Sequence, residues 1–223
     1  MKKLLKNRLI IVLILMLAIA CKTEKKKEVT SRVATLPFYE DASFTPKWMD
    51  LTNENLDVFH SIPDFDFMNQ DGEKVSSETF KDKIFVADFF FTTCPGICPI
   101  MTRNMTMVQD AFKDDTTVSI LSHSVTPKMD SVAQLKKYAL EKGVISGKWH
   151  LVTGERHKIY DLGRNFYFVD DDLGVKKGED DFLHTENFVL IDKKKHIRGI
   201  YNGLSKNSVE QLIADIRTLK KEG

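Results

Sequence analysis

The sequence predicts an α/β fold in which a mixed central sheet is flanked by helices. Three observations lead to this prediction: a nearly continuous apolar run at residues 84–91, an alternation of strand and helix patterns after it, and hairpin patterns near both ends of the domain. A run that is apolar at almost every position is typical of a central strand buried on both faces. Strands that alternate with helices indicate a layered α/β arrangement.

Each predicted element rests on a local pattern. Residues 64–67 alternate in polarity, residues 69–72 have turn composition and the strand pattern resumes at 73–75, which predicts a β-hairpin. The elements expected after the central strand are, in order, a helix with Met101, Met105, Val108 and Phe112 on one face, a strand at 118–121, a helix through 132–139 that ends near Gly143, a strand at 149–152, a short helix at 156–165, a hairpin at 188–201, and an amphipathic helix from Val209 to Leu219.

Residues 166–183 have no clean periodicity. They carry six acidic side chains: Asp170, Asp171, Asp172, Glu179, Asp180 and Asp181. We expect an acidic hairpin or long loop here, inserted before the strand that follows His184. A loop of this length in a compact domain is commonly functional.

The first twenty residues are typical of a secretory signal peptide. Four basic residues precede residues 9–20, which include no charged or polar side chain. Twelve apolar residues are short for a membrane span, which needs ~20. Small residues stand directly before Cys21, as in a bacterial lipoprotein signal, although Ala18 occupies the position where leucine is usual. We expect Cys21 to be lipidated; the alternative is an ordinary cleaved signal peptide whose neighbouring cysteine is unmodified.

These features divide the chain into three expected regions. Residues 1–20 form the signal peptide, residues 21–55 a lipid-anchored tether or N-terminal arm, and residues 56–223 one folded domain. The whole chain has a net charge of +1, which excludes a strongly basic nucleic-acid-binding protein, and without the signal peptide 29 basic and 32 acidic residues remain. We therefore expect a periplasmic domain anchored to a membrane of the bacterial cell envelope.

Cys94 and Cys98 carry the most informative chemistry in the sequence. They follow the buried strand and stand where a helix begins, at the sheet edge where open α/β folds bind ligands. The positive end of the helix dipole favours a thiolate there. Because three residues separate the cysteines, the short loop allows either two thiolates on one metal ion or an internal disulfide. The residues leave both interpretations open.

Two thiolates make an incomplete metal site, so a third ligand is needed. His184 is the candidate, because it precedes a strand that is expected to lie beside the cysteine loop. The remaining histidines are interpreted as surface or core residues: His60, His123, His150, His157 and His196. Met101 and Met105 are interpreted as core residues rather than thioether ligands, since they share an apolar helix face.

Three blocks of the sequence resemble the SCO/SenC family. They are FFFTTCPGICPIM at residues 89–101, WHLVTG at 149–154 and HTENFVLID at 184–192, and the resemblance covers residues 60–220 in matching order. It implies a thioredoxin-like fold, Cys94, Cys98 and His184 as copper ligands, and a turn at Pro127 and Asp130. Three positions depart from the common family pattern, with Thr93, Gly96 and Thr126 where a ring side chain or an acidic residue is frequent.

The resemblance also implies a function. Family members are membrane-tethered copper proteins that assist assembly of the copper A centre of cytochrome c oxidase. We therefore expect a metallochaperone that binds copper and catalyses no reaction. It should bind Cu(I) or Cu(II), because thiolates favour Cu(I) and imidazole also accepts Cu(II). The expected partners are the copper-bearing oxidase subunit, or another envelope copper protein, and a membrane, but no nucleic acid.

Two alternatives use the same cysteines. The first is an envelope thiol–disulfide oxidoreductase with Cys94 and Cys98 as its redox pair. The missing proline between His184 and Asn187 counts against it, since thioredoxins have one before the strand that faces their cysteines. The second is a peroxidase of the peroxiredoxin type, for which Arg103 is the only nearby activating arginine.

Overall fold

The computed structural model describes residues 29–50, 52, 56, 58–169 and 182–222. The predicted signal peptide, Cys21 and the acidic residues 170–181 lie outside the described residues, so the expectations for them stay predictions. None of the helices in the described ranges is both long enough and apolar enough to span a bilayer.

The described chain forms a mixed seven-stranded sheet with helices on both faces. Its elements are, in chain order, β1 (Asp66–Asn69), β2 (Lys74–Ser76), a 3₁₀ turn (Ser77–Phe80), β3 (Ile84–Phe90), α1 (Cys98–Phe112), β4 (Val118–Ser124), α2 (Val132–Lys142), β5 (Trp149–Thr153), α3 (Arg156–Asp161), a π-helical turn (Leu162–Phe166), β6 (Asn187–Ile191), β7 (Ile197–Asn202) and α4 (Lys206–Leu219). The predicted α/β class is confirmed.

The strands are arranged in the order β2-β1-β5-β4-β3-β6-β7. β3, β4 and β5 are parallel, whereas β6 is antiparallel to β3, and the hairpins β1–β2 and β6–β7 extend the sheet on its two sides. Both predicted hairpins are therefore present. Because β6 is antiparallel to β3, the start of β6 lies near the end of β3, where the cysteine loop begins.

Two apolar layers cover the faces of the sheet. Along β3 the side chains alternate between them: Ile84, Val86 and Phe90 pack with α1, α2 and α4, while Phe85, Ala87 and Phe89 pack with α3 and the π-helical turn. All seven residues of β3 are buried, as expected of the central strand. By the same alternation, Asp88, the polar residue of β3, lies on the face of the sheet that α1 covers.

The N-terminal arm, residues 29–50, packs against the domain. Leu36 and Phe38 are buried, and isolated bridges join Phe38 to Lys47 and Tyr39 to Ile197 at the outer edge of β7. Trp48 remains 60% exposed. The arm therefore adds side chains to the core, although its composition is that of a linker.

Two boundaries differ from the predicted ones for reasons that involve hydrogen bonding. β1 begins at Asp66 because the N–H of Phe65 donates to Ser77 Oγ (3.0 Å) rather than to a strand. The helix predicted at 156–165 ends at Asp161, because the chain widens into a π-helical turn in which the N–H of Tyr167 bonds to the carbonyl of Leu162 (2.8 Å).

Candidate functional site

A buried carboxylate holds the start of the cysteine loop. Asp130 accepts hydrogen bonds from Thr92 through both the backbone N–H (3.2 Å) and the hydroxyl (2.6 Å). The hydroxyls of Ser124 (2.6 Å) and Thr126 (3.0 Å) donate to the same carboxylate. Asp130 therefore joins the ends of β3 and β4 and fixes the direction in which the chain leaves β3. It is fully buried, so these donors replace the water it has lost.

Cys94 is a half-buried thiol aimed at the first turn of α1. Burial alone would raise its pKa, but hydrogen bonds from the Cys98 thiol and from the backbone N–H groups of Cys98, Gly96 and Ile97 outweigh burial and lower the pKa of Cys94 below its ordinary value. Unpaired N–H groups at a helix N-terminus stabilise an anion in this way. Cys94 is therefore the more acidic thiol of the pair.

Cys98 differs from Cys94 in burial and in acidity. It is the first residue of α1 and only 4% exposed. Burial, together with the hydrogen bond that Cys98 donates to the Cys94 sulfur, raises the pKa of Cys98 to about 12. The two cysteines are not joined by a disulfide. The pair consists of one accessible, more acidic thiol and one buried thiol that donates a hydrogen bond to it.

His184 lies between two anchored neighbours at the far wall of the same site. Leu183 and Thr185 are buried, while His184 itself is exposed. Its Nδ1 is 3.4 Å from the carbonyl oxygen of Phe182, which favours a proton on Nδ1 and leaves the Nε2 lone pair available. The imidazole of His184 therefore has an unprotonated nitrogen, Nε2, with which it could bind a metal ion.

Cys94, Cys98 and His184 line one cleft of about 450 Å³. The rest of its lining is mainly apolar and includes Phe91 and Phe182, whose rings meet edge to face at 5.3 Å between centroids. Within the described ranges, no three histidine, cysteine or acidic side chains converge closely enough to hold a metal ion. His184 thus shares the cleft with the thiols but must move toward them before all three could bind one ion.

The other histidines do not reach this cleft. His123 and His150 are buried, His157 is exposed beside Glu155, and His196 donates to or accepts from the carbonyl of Leu56 at 3.1 Å. His60 bonds to the carbonyl of Phe166 at 2.8 Å. Met101 and Met105 are buried in the α1 layer, so their interpretation as core residues is confirmed.

Three features in or near the site were not predicted from the sequence. Gly163 gives Leu183 room to pack: a Cβ at Gly163 would stand 2.5 Å from Leu183 Cδ1 and 3.1 Å from the Phe89 ring. Phe182 closes the cleft at the border of the aperiodic segment. Asp88 is a buried acid in an otherwise apolar strand, a pattern that sequence analysis could have singled out.

Fold and site together define the class. The chain is a thioredoxin-like protein with a reduced dithiol at the start of a helix and a histidine in the same cleft. It belongs to the SCO1/SenC family, whose profile matches residues 54–221. A curated relative, the SCO1 protein homolog of Bacillus subtilis (strain 168), is 34% identical over 164 residues, which is 71% of this chain and 82% of the relative.

Solved structures of the family agree with this fold. A SCO1/SenC family lipoprotein from Bacillus anthracis str. Ames is 30% identical, with a TM-score of 0.63 over 72% of this chain and 95% of that one. BsSco, a member of the Sco family of cytochrome c oxidase assembly proteins with an identified disulfide switch, is 33% identical, with a TM-score of 0.61 over 73% and 94%. Bradyrhizobium japonicum ScoI, solved with copper bound, is 24% identical with a TM-score of 0.56 over 72% and 99%, and at that identity shows the fold alone.

Proposed function

We propose that this protein is a copper-binding assembly factor that delivers copper to the copper A centre of cytochrome c oxidase, or prepares the cysteines of that centre. The observation that carries the proposal is the cleft that two thiols and an exposed imidazole line together. Its donor set fits copper, since thiolates are soft ligands that select Cu(I) and imidazole suits copper in either oxidation state. The proposed ligands are Cys94, Cys98 and His184.

The unequal acidity of the two thiols sets the order in which they become ready to bind copper. Cys94, whose pKa is lowered, releases its proton more readily, while Cys98, whose pKa is raised to about 12, must lose its proton before its sulfur binds. His184 keeps Nε2 free while Nδ1 bonds to the Phe182 carbonyl. Formation of a Cys94–Cys98 disulfide removes both thiolates, so copper loading requires the reduced pair.

The sharpest test is a Cu(I) titration of the chain beginning at Lys22, under a competing chelator. We expect His184→Ala to weaken binding by about tenfold or more, and Cys98→Ala to abolish tight binding. His157→Ala is the matched control, because it removes an exposed imidazole outside the cleft. Stoichiometric Cu(I) retention by Cys98→Ala would contradict the two-thiolate site, and unchanged affinity in His184→Ala would contradict the third ligand.

A second candidate function is favoured by the unequal acidity of the two thiols. In a thiol–disulfide oxidoreductase, the Cys94 thiolate would attack a substrate disulfide and release one substrate thiolate. Cys98, once deprotonated, would attack the Cys94 sulfur, release the second substrate thiol and leave an internal disulfide. Rapid reduction of insulin disulfides, together with copper affinity that does not depend on His184, would favour this function.

The proposed location is the bacterial cell envelope, with the folded domain outside the cytoplasm and a lipid on Cys21. Metabolic labelling with a radioactive fatty acid tests the anchor directly. We expect label in the wild-type protein and none in Cys21→Ser, which leaves Cys94 and Cys98 unchanged. Equal labelling of both proteins would contradict lipidation at Cys21.

A further inference from the structure

The end of the molecule farthest from the cysteine cleft is rich in lysine. The cysteines follow the last residue of β3, so the opposite end is formed by the turns before β3, β4 and β7 and by the last turns of α1, α2 and α4. We call this surface the basic end. Its exposed lysines are Lys81, Lys113, Lys142, Lys193, Lys194, Lys220 and Lys221, and its exposed acidic residues are Asp64, Asp82, Asp110, Asp114 and Glu141. Positive charge is in excess by two among these exposed side chains.

The lysines of the basic end border two adjoining depressions. One, of about 400 Å³, is lined by Asp82, Lys193, Lys194 and Leu219 among others. The other, of about 790 Å³, is lined by Lys113, Asp114, Lys220 and Lys221 among others. Leu219 of the first depression and Lys220 of the second are consecutive residues, so the two depressions are neighbours. Part of the charge is balanced internally, since Lys220 pairs with Asp115 and Arg198 pairs with Asp192 and Glu222.

The N-terminal arm joins the domain at this same end. The N–H of Leu36 donates to Glu222 Oε1 (2.8 Å), and Arg198 Nη2 donates to the carbonyl of Leu36 (2.7 Å). Fourteen residues lie between Cys21 and Leu36, so the two are at most roughly 50 Å apart when the chain is extended. Four of the first six residues after Cys21 are lysines. A membrane that holds Cys21 is therefore within reach of the basic end.

We propose that the basic end rests on an anionic phospholipid surface and so turns the cleft of Cys94, Cys98 and His184 away from the membrane. This inference rests on the proposed lipid anchor at Cys21. Lysines within a Debye length of an anionic leaflet are attracted to it, and salt weakens the attraction. The anchor supplies the lasting attachment, and the basic end supplies the orientation in which a copper acceptor that stands off the membrane can reach the cleft.

Lysine footprinting of the full-length lipidated protein in nanodiscs tests this orientation. Discs of phosphatidylcholine alone are compared with discs that also contain phosphatidylglycerol, at one protein per disc, and acetylation of each lysine is followed by mass spectrometry. We expect Lys81, Lys193 and Lys194 to react about threefold more slowly in the anionic discs, with the difference lost at about 0.5 M salt. Lys137 and Lys206, exposed outside the basic end, should react equally in both.

A pair of matched variants separates the basic end from general charge effects. Lys193→Glu/Lys194→Glu should remove the protection of Lys220 and Lys221 in anionic discs, whereas Lys137→Glu/Lys206→Glu should retain it. Equal labelling in the two disc types overturns the proposal, as does equal slowing at Lys137 and Lys206. Protection that appears only with two copies per disc identifies a second chain as the occupant and also overturns it.

The outcome is independent of copper. The footprint is measured on the metal-free protein, so a failed copper titration leaves this result unaffected. Protein that elutes free of the discs would overturn the anchor at Cys21 and this orientation with it.

Discussion

At the residue scale, Cys94 and Cys98 are chemically distinct although only three residues separate them. Backbone N–H groups at the start of α1 and the Cys98 thiol lower the pKa of Cys94 against the effect of burial. Cys98 is buried at the base of the cleft, with its pKa raised to about 12. Each thiol therefore depends on the other: the hydrogen bond from Cys98 to Cys94 lowers the pKa of Cys94 and raises that of Cys98.

Removing that donor should make Cys94 less reactive. In Cys98→Ala we expect the pKa of Cys94 to rise and its alkylation by iodoacetamide at pH 7 to slow several-fold, because the thiolate is the nucleophile. A pH–rate profile of the chain beginning at Lys22, which has no other cysteine, measures this. Cys98→Ser retains a hydroxyl donor and is the control. An unchanged profile in Cys98→Ala would contradict the interaction.

Asp88 and His123 are buried groups whose pKa values shift in opposite directions. Burial raises the pKa of Asp88 to about 7, although Ser122 donates a hydrogen bond to its carboxylate and lowers it in part. Burial lowers the pKa of His123 to about 4, since its ring lies among Phe65, Phe67 and Phe89 and its Nε2 has no hydrogen-bond partner in the described part of the chain. Both groups are held in their neutral forms by the same cause, the loss of hydration.

The two shifts affect stability with opposite signs. Between pH 4 and 7 the folded protein keeps a proton on Asp88 that the unfolded chain releases, so this group lowers stability as pH rises. Between pH 6.5 and 4 the unfolded chain protonates His123 while the folded one does not, so this group lowers stability as pH falls. Over pH 4 to 6.5 the two effects largely cancel.

Asp88→Asn should remove the effect of Asp88 on the pH dependence of stability and leave that of His123. The amide keeps an acceptor for Ser122 but has no charge to bury, so the variant should gain stability over wild type as pH rises from 4 to 7, by up to roughly 4 kcal/mol at about 1.4 kcal/mol per pH unit. Urea unfolding at several pH values measures this. Asp114→Asn, at an exposed carboxylate, is the control, and a pH-independent difference for Asp88→Asn would contradict the shift.

His123→Phe is the complementary variant. In wild type, the unfolded chain protonates His123 between pH 6.5 and 4 while the folded protein does not, which favours unfolding. The variant lacks this imidazole, so it should gain stability over wild type as pH falls from 6.5 to 4, by up to roughly 3 kcal/mol. A variant whose advantage instead grew as pH rose would contradict the sign.

At the scale of elements, the start of β6 is positioned by two glycines. Gly163 in the π-helical turn allows Leu183 to pack against Phe89, and Gly203 donates its N–H to the carbonyl of Glu186 (2.7 Å). These contacts fix the chain on both sides of His184. The exposed imidazole is therefore carried by a short segment whose ends are held in place.

Gly163→Ala should displace this segment. Its new Cβ would stand 2.5 Å from Leu183 Cδ1, so we expect a cost of about 1–3 kcal/mol and a loss of Cu(I) affinity comparable to that of His184→Ala. Gly154→Ala is the matched control: its Cβ would crowd the Phe67 ring at 2.7 Å, away from His184, and should cost stability without changing copper affinity. Equal copper affinity in both variants would contradict the positioning role.

At the scale of the whole molecule, Arg198 joins the arm, β7 and the C-terminal residues. Its guanidinium donates to Asp192 (3.1 Å), to Glu222 (2.6 Å) and to the carbonyls of Leu36 and Pro37. It also lies 3.9 Å from the centroid of the Phe38 ring. A fully buried arginine with all these partners explains why the arm is held on the domain.

Arg198→Met should release the arm. The change leaves two buried carboxylates and two carbonyls without their donor, so we expect a loss of about 3–5 kcal/mol and rapid proteolysis between residues 29 and 50. Urea unfolding and limited proteolysis measure the two effects. Lys195→Met, which breaks the exposed pair with Asp64, is the control and should cost less than about 1 kcal/mol. An arm that stays resistant to protease in Arg198→Met would contradict this role.

The elements that sequence analysis predicted best are those whose signal is local. β3 was predicted from its nearly continuous apolar run, and α1 from the spacing of Met101 and Met105. The packing of the arm through Leu36 and Phe38 was not predicted, because these residues gain their burial from residues about 160 positions away. The π-helical turn likewise depends on a contact between Gly163 and Leu183 that no local pattern reveals.

The sequence by itself determined the fold class and the family, and it identified both thiols and the histidine as candidates, because hydrophobic periodicity and motif composition are properties of neighbouring residues. Only the tertiary structure decided that these three residues line one cleft, that Cys94 is more acidic than Cys98, and that Asp130 holds the loop between them and β3. Those properties depend on burial and on hydrogen bonds between distant parts of the chain. They arise only when the antiparallel pairing of β6 with β3 brings His184 to the end of the sheet where the cysteines lie.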